Sequence, residues 1–316
     1  MSDASNRRSF LSGTLLLAGA TMSAHVPTIV RGQRVQVEPR RISDRTVAFV
    51  GPDATVLATA GRDGIVLFDG GHERWSAALL EAIAAQFDGA AFAALFNSHW
   101  HREQTGANLI LGQAGVPIYA HENTRLWLGT EVWVRWSDKH YRPLPEAARP
   151  RTGFDGSGTI EIAERRIEYT YLRHAHTDGD ICIYLPDENV LFTGGAVSNA
   201  GWPVIDWWTG GWIGGMLDGF DRLLEIADSD TIIVPSDGPL MSLGDLREQH
   251  EMYLTVFDRL HEMLRKAWST QEVIAARPTK EFDAEWGDSE QFLTLAFQSM
   301  WRHLRDAHDT RMQNIP

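Results

Sequence analysis

Cysteine is nearly absent from this chain of 316 residues: Cys182 is the only one, which excludes an intrachain disulfide and a metal cluster built on cysteines. Basic residues are also scarce, with 29 Lys and Arg against 42 Asp and Glu, and the formal net charge of −13 argues against binding along a nucleic-acid backbone. The residues present, 43% hydrophobic and 22% charged, are typical of a globular protein and exclude a disordered or fibrous chain. Any metal site within one chain must therefore use histidines and carboxylates.

The first 24 residues resemble a twin-arginine export signal. Arg7 and Arg8 precede Phe10 and Leu11, and the uncharged, largely apolar run over 11–20 is too short for a comfortable membrane span. Small residues follow, where a signal peptidase could cut, and the alternative interpretation is a frayed helix or a membrane anchor. The resemblance implies that the twin-arginine export machinery is a partner and that the mature protein is periplasmic, without a stable membrane span. Residues 1–24 are therefore excluded from the fold.

The remaining chain alternates between strand-like and helix-like segments, with 25–44 interpreted as a linker and 45–316 as one domain that includes a helical C-terminal tail. Runs of strand-forming residues bounded by Gly, Pro and Asp predict strands over 46–51, 55–61, 64–69, 91–96, 159–162, 166–172, 180–185, 189–192 and 231–234. Helical periodicity predicts helices over 73–87, 121–135, 217–227 and most of 243–308, with a break at 276–283. This order predicts an α/β fold in which helices flank two mixed β-sheets.

Two histidine clusters follow predicted strands. His99 and His101 come directly after the buried strand at 91–96, and His176 lies in the string His-Ala-His-Thr-Asp-Gly-Asp at a later strand junction. Loops at strand ends can aim imidazoles into one cleft, so the three side chains could converge. Zn²⁺ binds three histidines and keeps a fourth position for water, whose pKa falls to about 7, so that hydroxide becomes available at neutral pH.

These segments are similar to the metallo-β-lactamase superfamily. The strings that carry the resemblance are Asp69-Gly70-Gly71, Asn97-Ser98-His99-Trp100-His101-Arg102-Glu103-Gln104-Thr105-Gly106-Ala107-Asn108 and Ala175-His176-Thr177-Asp178-Gly179-Asp180. The resemblance covers about 45–305, and the segment 275–283 with the helix after Ser289 is similar to the C-terminal tail of exported members. It implies an αββα sandwich with a helical C-terminal extension, and a first metal site at His99, His101 and His176.

The chain departs from the family pattern at the second metal site. Glu103 and Gln104 replace an Asp-His pair, Gly195 replaces a bridging Asp, and Asp237 replaces the last histidine. The resemblance therefore implies an exported metallohydrolase-like member with one zinc ion per chain and a degenerate second site. Glu103, Gln104 and Asp237 could instead form an oxygen-rich site for a harder ion, or could hydrogen-bond the water on a single zinc ion.

Two of these replacements are candidate catalytic carboxylates. Glu103 is the candidate general base or water-orienting group, because its carboxylate is one methylene longer than the family's Asp at the same position. Asp237 could orient a ligand or accept a proton from the attacking water, or could stabilise the turn that follows it.

Tryptophan is abundant, with 12 in the chain. Trp202, Trp207 and Trp208 lie in a Gly-rich loop that is expected to flank the metal cleft. Large rings either fill the core or line a site for an apolar ligand, so these three are candidates for the wall of a substrate pocket.

Three functional hypotheses follow. The favoured one is a periplasmic metal-dependent hydrolase, in which zinc-bound hydroxide attacks an ester, lactone or amide carbonyl of a rather apolar small molecule. The alternatives are a degenerate paralogue that binds a small molecule without turnover, and an iron or manganese enzyme on the same fold. β-Lactam cleavage in particular does not follow from the fold, since one scaffold hosts many reactions.

Overall fold

The computed structural model of the protein describes residues 28–30, 33–35, 37–51, 53–134 and 137–313. The predicted export signal at 1–24 lies outside these residues. Across the described ranges, no helix combines the length and the apolar character that are needed to cross a bilayer.

The described ranges contain sixteen strands and eight α-helices. The strands are β1 (Thr28–Val30), β2 (Gln33–Val35), β3 (Glu38–Arg41), β4 (Thr46–Val50), β5 (Thr55–Gly61), β6 (Gly64–Phe68), β7 (Phe92–Asn97), β8 (Ile118–His121), β9 (Val132–Val134), β10 (Lys139–Tyr141), β11 (Thr152–Phe154), β12 (Gly158–Ile162), β13 (Arg165–Leu172), β14 (Asp180–Leu185), β15 (Val190–Phe192) and β16 (Ile232–Val234). The helices are α1 (Ser76–Gln86), α2 (Asn108–Gln113), α3 (Glu122–Leu128), α4 (Ile213–Ile226), α5 (Leu243–Arg265), α6 (Thr270–Ala276), α7 (Asp283–Trp286) and α8 (Glu290–Gln313).

Two mixed sheets form the centre of the fold. The first has seven strands in the order β11-β8-β7-β6-β5-β4-β3, antiparallel from β3 to β6 and parallel from β6 through β7 and β8 to β11. The second has five strands in the order β12-β13-β14-β15-β16, antiparallel except for the parallel pair β15–β16. Strands buried on both faces carry nearly continuous apolar runs, as β6 and β15 do.

Strand β4 shows how successive side chains serve two apolar layers. Val47 and Phe49 pack with Leu79 and Ile83 of α1 on one face, whereas Ala48 faces the layer between the two sheets. Helices α4, α5 and α8 supply the layer that packs against the second sheet. The predicted αββα sandwich with a helical C-terminal segment is confirmed.

The structure corrects the helix predicted over 121–135. Helix α3 ends at Leu128, and the chain then forms the antiparallel pair β9–β10. Val132 and Val134 are buried beside Trp100, whereas Trp133 between them is exposed. The alternation of buried and exposed side chains that is typical of a strand replaces the predicted helical periodicity here, because the two valines complete a small apolar cluster around Trp100.

The boundary predicted at residue 45 also lies inside the fold. Strand β3 pairs with β4 along its whole length and forms the edge of the seven-stranded sheet. Arg40 and Arg41 give this segment the composition of a linker, but edge strands tolerate charged side chains on their solvent-facing side. Residues 38–41 therefore belong to the domain and not to a linker.

Candidate metal centre

Four loops meet at one edge of the two sheets. They follow β7, β13, β15 and β16, and carry His99 with His101, then His176, Gly195 and Asp237. The carboxyl ends of parallel neighbours lie at the same edge of a sheet, which places the loops of β15 and β16 side by side. These five residues line one cleft of about 280 Å³.

Trp100 anchors the loop between the first two histidines. Its indole is buried with Leu128 and Val132, and its Nε1 donates to Oγ1 of Thr209 at 3.0 Å. With Trp100 held in this small core, the imidazoles on either side of it are left lining the cleft.

The three imidazoles form a compact cluster. The ring centroids of His99, His101 and His176 lie 4.6 to 4.9 Å apart, and the ring planes cross at 82 to 86°. One nitrogen of each ring lies within 4.8 Å of the other two, so the cluster could hold a metal ion. The structure thus brings together the three histidines that the sequence predicts as ligands.

Hydrogen bonds on the outer side of two rings fix which nitrogen faces the cluster. His176 Nδ1 donates to the Val204 carbonyl at 2.6 Å, and His101 Nε2 donates to Oδ2 of Asp206 at 3.1 Å. The inner nitrogens, His176 Nε2 and His101 Nδ1, then face each other at 2.9 Å. In neutral imidazoles of these tautomers both inner nitrogens carry lone pairs, an arrangement that a cation between them stabilises. The donor set therefore fits an ion such as zinc, which takes three histidine nitrogens and a water.

The outer partner of His99 is itself held by a carboxylate. The Ser98 hydroxyl donates to Asp69 Oδ2 at 2.7 Å and lies 2.9 Å from His99 Nδ1, which leaves Nε2 for the cluster. The backbone N–H of Ser98 also donates to Asp69, at 2.7 Å. Burial raises the pKa of Asp69 to about 7, although the hydrogen bonds from Ser98 act to lower it.

Of the three clustered imidazoles, the two more buried ones, His99 and His176, favour the neutral form. Burial lowers the pKa of His99 well below its usual value, and the adjacent His176 and His101 lower it further. Burial and the neighbouring His101 likewise lower the pKa of His176. Neutral imidazole is the form that binds metal ions, so neither ring must lose a proton before binding one.

Asp206 supports the cluster from outside, and the sequence did not single it out. Its buried carboxylate accepts hydrogen bonds from His101, from Thr209 Oγ1 at 2.6 Å and from the backbone N–H of Trp208 at 3.2 Å. Burial acts to raise the pKa of Asp206, but the hydrogen bonds from His101 and Thr209 hold it below its usual value. The sequence signal was weak, because an Asp at the N-cap of a short helical turn, the position of Asp206, is common.

Replacing Asp206 by asparagine is expected to weaken zinc binding by about 10- to 100-fold, the range typical for outer partners of metal-ligating histidines. An asparagine NH₂ that donates to His101 Nε2 would place the imidazole proton on Nδ1, the nitrogen that faces the cluster. Affinity is measured by competition with a chromophoric chelator, with the exposed Asp230→Asn as the matched control. Unchanged zinc affinity in Asp206→Asn would remove this residue from the support of the site.

Gly195 sits against the histidine cluster. A Cβ at this position would lie 2.5 Å from Cδ2 of His176 and 2.9 Å from Cε1 of His99, closer than side-chain atoms pack. The bridging carboxylate of the family pattern is therefore absent, and the arrangement of the rings leaves no room for one.

Glu103 and Gln104 both line the cleft, as expected from the sequence. Glu103 Oε1 lies 3.6 Å from Nζ of Lys139 on the hairpin β9–β10, and its side chain is 31% exposed. Gln104 is 7% exposed, and its Oε1 has no hydrogen-bond partner among the described residues. The hairpin that the sequence did not predict thus supplies the cation beside the candidate base.

Asp237 lies in the cleft wall next to α5. Its Oδ1 accepts a hydrogen bond from the backbone N–H of Asn199 at 3.2 Å, and burial raises its pKa. Burial raises the pKa of the Tyr253 phenol on α5 well above its usual value, and the charge of the nearby Asp237 raises it further. The Tyr253 hydroxyl is buried without a hydrogen-bond partner among the described residues.

Trp202 lines the cleft, as the sequence analysis proposed. Its Nε1 donates to the Gly287 carbonyl at 3.2 Å, and its ring stacks on Phe292 with centroids 4.5 Å apart. The C-terminal segment therefore holds one wall of the cleft in place.

Trp207 and Trp208 lie elsewhere, which corrects the expectation that they wall the same cleft. They line a separate groove together with residues at the start of α8, such as Glu290 and Thr294. The turn over 207–209 explains the difference. The carboxylate of Asp206 accepts hydrogen bonds from backbone N–H groups of this turn and also from His101, which fixes the direction of the turn. The two indoles follow that turn toward α8.

A sequence model of the metallo-beta-lactamase superfamily matches residues 48–270 of this chain. A curated relative, "Metallo-beta-lactamase type 2" of Bacteroides fragilis, is 29% identical over 97 residues. That match spans 31% of this chain and only about a third, 33%, of the relative.

Solved structures share the fold at low identity. "Metallo-beta-lactamase from Pontibacter korlensis" has 19% identity and a TM-score of 0.56, and the match covers 69% of this chain and 99% of that one. A double mutant of the sec-alkyl sulfatase PisA1 has 16% identity and a TM-score of 0.64, with 83% of this chain and 50% of that one covered. At such identities the likeness concerns the fold alone.

Proposed function

Because the chain belongs to the metallo-β-lactamase superfamily, we propose that it is a hydrolase that holds one zinc ion at His99, His101 and His176. The substrate is a small, rather apolar molecule with an ester, lactone or amide carbonyl. The observation that carries the proposal is the cluster of three imidazoles that line one cleft, two of them buried, with two inner nitrogens 2.9 Å apart and their outer nitrogens engaged in hydrogen bonds.

One ion is proposed, not two, because the second site lacks its ligands. Gly195 offers no side chain, and a Cβ there would meet the rings of His176 and His99. Glu103 lies beside the ammonium of Lys139, and no other histidine joins the cluster within the described ranges. Three histidines with an open fourth position are already a competent catalytic zinc site.

The proposed chemistry divides between the ion and the residues of the cleft. A zinc ion supplies Lewis acidity, which polarises water and a carbonyl oxygen. Glu103 accepts the proton of the water whose oxygen attacks the carbonyl carbon, and returns it to the leaving oxygen or nitrogen. Val134, Val204 and the ring of Trp202 bind the apolar part of the substrate and exclude bulk water from it.

The compartment is part of the proposal as well. Arg7 and Arg8 ahead of a short apolar run support export through the twin-arginine machinery, which carries folded cargo, and hence action in the periplasm after removal of the signal. A protein that is exported in its folded state could bind its metal ion before export.

The first experiment is elemental analysis of the mature protein without added metal, followed by hydrolysis assays with esters, lactones, a sec-alkyl sulfate and a chromogenic cephalosporin. We expect about one zinc ion per chain, turnover of an ester or lactone, and weak or no cleavage of the cephalosporin. No zinc, even after zinc is offered, would overturn the proposal and favour a binding protein without turnover. Iron or manganese in place of zinc would favour oxygen or lyase chemistry on the same fold.

A further inference from the structure

Three carboxylates line the cleft, and two of them face a cation. Asp53 Oδ2 lies 2.6 Å from Nη2 of Arg74 and accepts a further hydrogen bond from Trp75 at 3.1 Å. Glu103 faces the ammonium of Lys139. The cations beside these two carboxylates, Arg74 and Lys139, are therefore already paired.

Asp237 is the third, and its described partners are neutral. The backbone N–H of Asn199 donates to it, and the phenol of Tyr253 lies nearby. Within the part of the chain that the structure describes, no lysine or arginine forms an ion pair with Asp237. A carboxylate that is mostly withdrawn from water without a compensating cation is costly, so its position favours a positively charged ligand.

Two further features of the same cleft suit such a ligand. Gln104 is nine-tenths buried and its Oε1 accepts no hydrogen bond in the described structure, so an acceptor is available where a donor could enter. Trp202 presents an indole to the cleft and is fixed by stacking on Phe292 and by its bond to Gly287. A tryptophan face attracts a cation within about 6 Å of its centroid.

We propose that this cleft recognises a cationic nitrogen of the substrate, held by the carboxylate of Asp237 with Gln104 and Trp202 beside it. The inference rests on the proposed hydrolase and names its substrate class: carbonyl compounds that carry a primary or secondary amine. An ammonium has three donors and no acceptor, which complements a carboxylate and an amide oxygen. Of the roles that the sequence left open for Asp237, orienting a ligand, accepting a proton or stabilising a turn, the proposal adopts the first.

A cationic substrate would also suit the altered second site. In the family pattern the position of Asp237 is a histidine that ligates a second metal ion, and the present chain has an acidic residue there with neither its histidine neighbour nor its bridging carboxylate. A substrate ammonium in this part of the cleft would take the place of that second positive charge.

The test compares two isosteric esters, p-nitrophenyl β-alaninate and p-nitrophenyl butyrate, which differ by an ammonium in place of a methyl group. We expect kcat/KM to favour the amino ester by about 10- to 100-fold, the worth of one hydrogen-bonded contact to a charged group. Asp237→Asn is expected to bring the ratio close to one, whereas Asp63→Asn, which removes an exposed carboxylate in the turn between β5 and β6, should retain it.

A binding measurement tests the subsite without turnover. Calorimetric titration of the metal-free protein with n-propylamine is expected to give binding that Asp237→Asn loses and Asp63→Asn keeps, while n-propanol gives none. Cleavage of both esters at equal rates would overturn the amine subsite and leave the hydrolase intact. Cleavage of neither ester would overturn the hydrolase, and the titration would then decide the subsite alone. A second equivalent of zinc that Asp237→Asn removes would also contradict the inference.

Discussion

Replacing His101 by alanine is expected to reduce the zinc content of the purified protein to almost none and to abolish hydrolysis. A four-ligand zinc site binds with about 10–16 kcal/mol, so loss of one protein ligand weakens it by roughly 3–4 kcal/mol, or about 10²- to 10³-fold. The loss of zinc affinity should exceed this one-ligand estimate, because His101 also connects the cluster to Asp206. Metal content is measured by elemental analysis and affinity by chelator competition.

The His101 variant needs a control for folding. Removing the imidazole leaves the buried Asp206 carboxylate without one of its hydrogen-bond donors, which costs about 1–3 kcal/mol or more for a charged group. The double variant His101→Ala/Asp206→Ala removes that charge, and it should fold and still bind no zinc. His261→Ala, an exposed histidine on α5, should keep the full zinc content. Retention of zinc by the folded double variant would exclude His101 as a ligand.

Replacing Glu103 by glutamine is expected to keep the zinc and lower kcat by about 10²- to 10⁴-fold, the usual contribution of a general base. Glutamine preserves the shape of the side chain but cannot take a proton from the attacking water. The three histidines remain untouched, so zinc content should stay at about one ion per chain. Steady-state kinetics on the ester identified as substrate, together with elemental analysis, checks both parts.

The ion pair with Lys139 gives this prediction a sharper form. If Glu103 acted only by holding the hairpin β9–β10 through Lys139, then Lys139→Gln would lower kcat as much as Glu103→Gln does. We expect a much smaller effect of Lys139→Gln. Glu164→Gln, which removes an exposed pair with Arg62 on the surface, serves as the matched control and should leave kcat unchanged. Equal losses in the Glu103 and Lys139 variants would assign Glu103 a positioning role.

The clustering of the three histidines could be predicted from the sequence because each stands in a local motif after a strand. His99 and His101 flank one residue, and His176 begins a turn that Asp180 closes by accepting hydrogen bonds from Thr177. Such patterns depend on neighbours within a few positions, which a linear reading detects.

Other parts of the site depend on contacts between distant segments. Asp206 reaches His101 across 105 positions in the chain, and nothing beside it in sequence distinguishes it from an ordinary turn residue. Lys139 comes to Glu103 only because β10 pairs with β9, a pairing that helical periodicity over 121–135 concealed. Trp207 and Trp208 were expected in the cleft because they share a Gly-rich loop with Trp202, yet a single turn directs them elsewhere.

The same distinction between local signals and distant contacts applies to the strands of the fold. Strands β5 and β14 have the predicted bounds, since Gly, Pro and Asp turns mark both ends of their apolar runs. Strand β3 was missed because its pairing with β4 compensates for a polar sequence. Long-range pairing decides the elements whose composition is ambiguous.

The placement of the histidines also bears on how the molecule resists unfolding. His101 lies in the loop after β7 of the seven-stranded sheet and His176 in the loop after β13 of the five-stranded sheet, and 75 positions separate them. An ion shared by the two closes a ring of chain much as a disulfide does, and for a closed loop of this size the lost freedom of the unfolded chain corresponds to about 4 kcal/mol. In a chain whose single cysteine rules out an internal disulfide, the proposed ion would cross-link loops of the two sheets through histidines, and such a link does not depend on the oxidation state of the compartment.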